Sequence, residues 1–144
     1  MNFSFKRPED SPGFLLWQLT NQWQRQQRKA LAKLGLTHPQ FVVLAAVLWL
    51  SSTSDKPVTQ KHAAELTKID KMSMSDLVTT LTEKKLLQRS VHKQDKRAYS
   101  LSLTSKGREK VFKAIPIVEG IDAVFFSTET LNLVHLHRVL SKRL

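Results

Sequence analysis

The chain has 144 residues, enough for one domain, and 41% of them are hydrophobic, enough for a packed core. Its 23 Lys and Arg against 12 Asp and Glu give a formal net charge of +11, a balance foreign to most metabolic enzymes and expected of a protein that neutralises phosphates. There is no cysteine, which excludes disulfides, thiolate metal sites and cysteine redox sensing. The longest apolar run, residues 41–50, is about half of what a membrane span requires, and the N-terminus lacks a secretory pattern. A soluble, cytoplasmic protein is expected.

The positive charge is unevenly placed. Residues 56–113 hold 14 Lys and Arg against 6 Asp and Glu, while residues 114–144 are balanced, so the polyanion footprint lies in the middle of the chain.

In chain order, residues 12–33 read as a helix with Phe14, Leu15, Leu19, Trp23, Leu31 and Leu34 largely on one stripe, started at Ser11-Pro12 and ended by Gly35. Thr37 caps a second helix over 39–50, apolar on nearly all sides and therefore central, followed by a polar loop over 51–56. Pro57 and Val58 are expected to form a very short strand. Thr59 then caps a short helix through Leu66, residues 68–70 turn, and Asp70 caps a helix over 71–85. The inward face of this last helix is Met74, Leu77, Val78 and Leu81; its outward face is Lys71, Met72, Ser73, Ser75, Asp76 and Thr79.

Residues 87–91 and 99–103 alternate apolar and polar, the two-residue period of strands, and the polar stretch 92–98 between them makes a hairpin loop. Thr104 or Ser105 starts a helix whose apolar pattern resumes beyond Pro116, so the proline is expected to kink rather than end it. Ser127 caps a last helix carrying Leu131, Val134, Leu136, Val139 and Leu140. The fold class is mainly α with a small β-hairpin wing: a winged helix-turn-helix with helices added at both ends. Those end helices carry more apolar stripe than the module needs and little of the net charge, which points to packing on a second copy. A closed intramolecular bundle is the alternative.

This order of elements, and particular strings within it, resemble the MarR family of winged-helix transcriptional regulators over almost the full length, as a single domain spanning 1–144. The strings are Leu36, Thr37, His38, Pro39, Gln40 and Phe41 opening the second helix; residues 59–66 in the first helix of the motif; and Asp70, Lys71, Met72, Ser73, Met74 and Ser75 opening the reading helix. The most specific is Asp95 and Arg97 followed, after five residues, by Leu103 and Thr104.

The resemblance implies a winged-helix DNA-binding region over 36–107 and a dimerisation region over 11–35 and 108–144. It further implies a homodimeric regulator, more often a repressor, reading a palindromic site of double-stranded DNA. Arg97 is then the wing's contact to backbone or minor groove, with Asp95 orienting it and Lys93 and Lys96 beside it. Lys71, Met72, Ser73, Ser75, Asp76 and Thr79 form the reading face, with Gln60, Lys61 and Lys68 as phosphate contacts. Asp76 departs from the pattern of similar proteins, which often carry arginine there; it either accepts from a cytosine amine or pairs with a nearby cation.

Similar proteins also bind a small phenolic or aromatic ligand in the crevice between the dimer helices and the winged module. Trp17, His38, Phe41 and Trp49 are the residues expected near it, with core packing as their competing role. No cofactor and no metal site is expected: His135 and His137 are two apart on a helix and point to different faces, and no His-x-x-x-His pairing exists. No nucleophile elbow or glycine-rich phosphate loop is present to argue for an enzyme. The alternative function is a basic architectural or RNA-binding protein without sequence preference, which shares the charge but needs no dyad-related operator.

Overall fold

The computed structural model describes residues 4–91 and 99–127. A short 3-10 turn (Pro8–Asp10) leads into helix α1 (Pro12–Ala32), where Ser11 Oγ accepts from the Phe14 amide and proline occupies the first turn. The helix closes with Gly35 at φ 65 and a wrap-around bond from the Leu36 amide to Leu31 O. Two lysines from the basic middle of the chain complete this end: Lys110 Nζ donates to Leu34 O at 2.6 Å and Lys84 Nζ to Gly35 O at 3.1 Å. Part of the central positive charge is therefore committed to structure rather than to a partner.

Helix α2 (His38–Thr53) begins with a reciprocal capping box between Thr37 and Gln40, and buries Phe41, Val43, Leu44, Ala46 and Val47. It runs three residues beyond the expected end at 50. The hydroxyls of Ser51, Ser52 and Thr53 donate back to the carbonyls of Leu48 and Trp49, so residues that read as loop formers extend the helix instead. Helices α3 (Gln60–Thr67) and α4 (Lys71–Glu83) follow, then strands β1 (Leu87–Val91) and β2 (Tyr99–Leu103), paired antiparallel with Leu87 opposite Leu103 and Arg89 opposite Leu101. Residues 57–58 form no strand of their own: Val58 O accepts from the Leu101 amide at 2.7 Å, and Thr59 makes a single bridge to Ser100 at the sheet edge.

Helix α4 stops at Glu83, two residues short of the expected end. Lys85 takes the left-handed conformation (φ 58) and the Leu86 amide bonds back to Leu81 O, turning the chain into β1. Helix α5 (Ser105–Phe125), capped by Thr104 Oγ1 on the Gly107 amide at 2.9 Å, continues through Pro116. The last helix expected from Ser127 onward lies outside the described residues.

One core joins these elements. Leu31 of α1, Val43, Leu44 and Val47 of α2, Ala63 of α3, Met74, Val78 and Leu81 of α4, Leu87 and Leu101 of the sheet, and Val111 and Ala114 of α5 are all buried together. Leu77, expected inside, is only half-buried. The buried residues of α1, Gln27 and Leu31, lie in its second half. Phe14, Leu15, Leu16 and Trp17 in its first turns stand in solvent, with Phe14 and Trp17 stacked at 6.2 Å between ring centroids.

Candidate nucleic-acid interface

The helix-turn-helix is built from two capped helices and one strained residue. Thr59 Oγ1 accepts from the His62 amide to start α3, and Asp70 accepts from the Ser73 amide at 2.9 Å to start α4. Between them Lys68 occupies the left-handed region at φ 58 and ψ 19, where glycine is ordinarily preferred. Hydrogen bonds from the Ser73 side chain, and then from its amide, hold the Asp70 carboxyl below its usual value, so the cap carries full negative charge at neutral pH.

Helix α4 sits on the core through Met74, Val78 and Leu81, each fully buried, and this fixes which side it offers outward. Lys71, Met72, Ser73, Asp76 and Thr79 are exposed there, Met72 at 77%. Ser75, expected among them, is half-buried. Asp76 has no ion-pair partner among the described residues. On α3, Lys61 is exposed and lies 3.8 Å from Glu65 one turn on, a solvated pair of little energetic weight.

Arg89 of β1 was not among the residues expected in the interface, yet it ties three of them together. Its guanidinium donates to Gln60 Oε1 at 3.4 Å, to Thr79 Oγ1 at 3.3 Å and to Ser75 O at 3.5 Å, while the Thr79 hydroxyl itself donates to Ser75 O at 2.9 Å. All three bonds leave one nitrogen, Nη2, at the end of the long arginine side chain, so a single amino group bridges the three acceptors. The strand period held the signal: Arg89 shares the face of buried Leu87 and so points toward the helices rather than away from them. Gln60 and Thr79 therefore belong to a brace between the hairpin and both helices of the motif. Lys93, Asp95, Lys96 and Arg97, the wing residues, lie outside the described residues.

The four residues expected near a ligand separate. Trp17 and Trp49 are each 63% exposed, whereas Phe41 is part of the core and His38 is buried with its ring edge-on to Trp23 at 4.9 Å. Burial holds the His38 imidazole below its usual value, partly offset by the nearby Asp122 carboxylate. Where α1 meets α5 the structure has a cavity of about 650 Å³ lined by Leu16, Leu19, Thr20, Trp23, Asp122, Ala123 and Phe126. None of the four expected residues lines it; His38 reaches it only through Trp23. Asp122 Oδ1 accepts from Trp23 Nε1 and from Gln27 Nε2, both at 2.8 Å. Gln27 is fully buried inside a helix that reads as glutamine-rich and solvated, so its role emerges only from the packing of α5.

A capped helix pair whose second helix keeps one face open to solvent, followed by an antiparallel hairpin braced against it, defines a winged helix-turn-helix protein. Residues 34–98 match the family model described as MarR family. The HTH-type transcriptional regulator YdcH of Bacillus subtilis is 48% identical over 123 residues, covering 85% of this chain and 83% of that protein. A MarR-family transcriptional regulator from Rhodococcus sp. RHA1 has the same fold, with a TM-score of 0.77 at 22% identity over 96% of this chain and 94% of that one. BpsR of Bordetella bronchiseptica, whose DNA binding is regulated by 6-hydroxynicotinic acid, is 27% identical, with a TM-score of 0.75 over 90% of this chain and 97% of its own. The chain belongs to the MarR family of DNA-binding transcriptional regulators.

Proposed function

We propose that the chain acts in the cytoplasm as a homodimeric repressor that reads a palindromic operator and is released from it by a small aromatic ligand. The observation that carries the reading is the open face of α4: Lys71, Met72, Ser73 and Asp76 stand clear of a core that holds the helix by its opposite side, next to a hairpin braced onto it by Arg89. Residues 36–107 form the DNA-binding region and residues 11–35 and 108–144 the dimerisation region. The exposed Phe14, Leu15 and Trp17 on α1, with Phe112 and Val124 on α5, support a second copy as their cover.

A two-fold dimer sets its reading helices about 34 Å apart, one turn of DNA, which makes the operator palindromic. Lys68 and Lys71 reach phosphates, Met72 meets a thymine methyl, and Arg97, oriented by Asp95 and flanked by Lys93 and Lys96, enters the backbone or minor groove beyond the hairpin. Occupying a promoter in this way blocks polymerase without further contacts. The regulation of BpsR by an aromatic acid supports ligand release in this chain as well.

Selection of bound duplexes from a random pool tests the reading, followed by affinity as a function of salt for the winner and for a scrambled duplex. A palindromic winner bound at least about a thousandfold more tightly than the scrambled duplex is expected. Equal affinity for all duplexes with one salt slope would place the chain among basic architectural proteins instead.

A further inference from the structure

The α1/α5 cavity has a polarity that distinguishes it from a receptor for aromatic acids. Its walls are apolar, from Leu16, Leu19, Trp23, Ala123 and Phe126, and its one charged group among the described residues is the Asp122 carboxylate. Two of the neighbouring donors are already used, and His38, behind Trp23, is held toward its neutral form by burial. Trp23 Nε1 and Gln27 Nε2 both end on Asp122 Oδ1, and Gln27 Nε2 has only a further long contact, 3.5 Å, to Val118 O. An unused acceptor remains in the lining: the second Asp122 oxygen accepts from no described residue, while the unpartnered Gln27 Oε1 is fully buried behind it and is not part of the lining. Of the described lining side chains only the Thr20 hydroxyl still has a proton to give.

A half-buried carboxylate with one oxygen still free to accept is completed by a ligand that donates. A ligand carboxylate entering here finds a like charge and one hydroxyl. An ammonium finds a carboxylate already oriented by two fixed donors, and its aromatic body meets the faces of Trp23 and Phe126. The volume, about 650 Å³, lies within the range of small-molecule sites. We infer that this cavity binds a small aromatic cation, with Asp122 as the counter-charge, and discriminates against aromatic carboxylates of the same shape. The inference rests on the ligand-release reading above, whose ligand it specifies by class.

The test is calorimetric titration of the DNA-free full chain with three probes of one shape: 2-naphthylmethylammonium, 2-naphthylmethanol and 2-naphthoate. The expected order of affinity is ammonium, then alcohol, then carboxylate, with at least about a tenfold gap between the first and last. Asp122→Asn should shrink that gap to about threefold or less, and Ala123→Phe, which fills the cavity from an exposed position, should weaken all three probes. Because the ranking in the unaltered protein is decisive by itself, a misfolded Asp122→Asn leaves the inference exposed to refutation. Equal or tighter binding of the carboxylate overturns it, as does failure of all three probes to bind or an unchanged preference in a folded Asp122→Asn. Titrating the same ammonium into the operator complex reads release separately: binding without release would refute the ligand-release reading and leave the assigned ligand class standing.

Discussion

Gly107 is the position where a single methyl group should do most damage. It lies in the first turn of α5, where the Thr104 cap brings the helix against the turn between α4 and β1. A Cβ placed on it would sit 2.0 Å from Leu86 O, 2.9 Å from Leu86 C and 3.2 Å from Leu86 Cα, all backbone atoms that no rotamer change can move. Real Cβ contacts essentially never fall below 3.0 Å, so the two segments must part by about 1 Å. That movement strains the bond from the Thr104 amide to Leu86 O, now 3.1 Å, and shifts Leu86 and Leu87 within the core.

Overpacking of this kind costs about 1–3 kcal/mol and a lost hydrogen bond about 1 kcal/mol, against a gain of about 1 kcal/mol from replacing glycine by alanine within a helix. Gly107→Ala is therefore expected to destabilise the fold by about 1–3 kcal/mol, read from the urea midpoint at constant m-value. Gly120→Ala in the same helix is the control. Nothing lies within 4 Å of its added Cβ, so only the propensity gain of about 1 kcal/mol should appear. If both variants gained stability alike, the close approach of α5 to Leu86 would be refuted.

Lys68→Gly should raise stability by about 1 kcal/mol, because Lys68 is held at φ 58, while lowering the salt slope of operator binding by about one unit for the lost phosphate contact. An unchanged slope in equilibrium anisotropy titrations would remove Lys68 from the interface. Arg89→Lys keeps the charge but not the reach and planar geometry that bring Nη2 to Gln60, Ser75 and Thr79; operator affinity is expected to fall about three- to tenfold with non-specific binding unchanged. An equal loss on operator and scrambled DNA would make Arg89 a general phosphate contact. His38 is held below its ordinary value of 6.5 by burial, so the folded state favours the neutral ring; the associated stability is complete above pH 6.5 and is lost as pH falls through the lowered value. Chemical denaturation across that window should show the loss in the natural chain and a flatter profile in His38→Phe, which keeps an aromatic partner for Trp23 but cannot titrate; parallel profiles would contradict the role assigned to His38.

Local chemistry accounts for what was legible in the sequence. The caps at Thr37, Thr59 and Asp70 stand where expected, and of Thr104 and Ser105 the cap falls to Thr104, because each is set by a side chain and an amide three residues apart. Both strands match their predicted bounds, since the two-residue alternation of 87–91 and 99–103 needs nothing distant to interpret it. The ends of α2 and α4 were misplaced, because serine and threonine hydroxyls that bond back to carbonyls extend one helix and a wrap-around bond at a left-handed lysine shortens the other.

Tertiary structure alone decided which polar side chains work together. Arg89 faces α4 because the hairpin docks there, and Thr79 of the reading face and Gln60 of the supporting helix are drawn into its brace. Gln27 lies 95 residues from Asp122 in sequence, and Trp23 lies 99, yet their donors share one carboxylate oxygen. Nothing in the pattern of α1 or α5 separately marks these residues. Helical periodicity states which face is apolar, but which polar group on the neighbouring face meets which partner depends on how two distant helices cross, and that is set by the packing of the whole core.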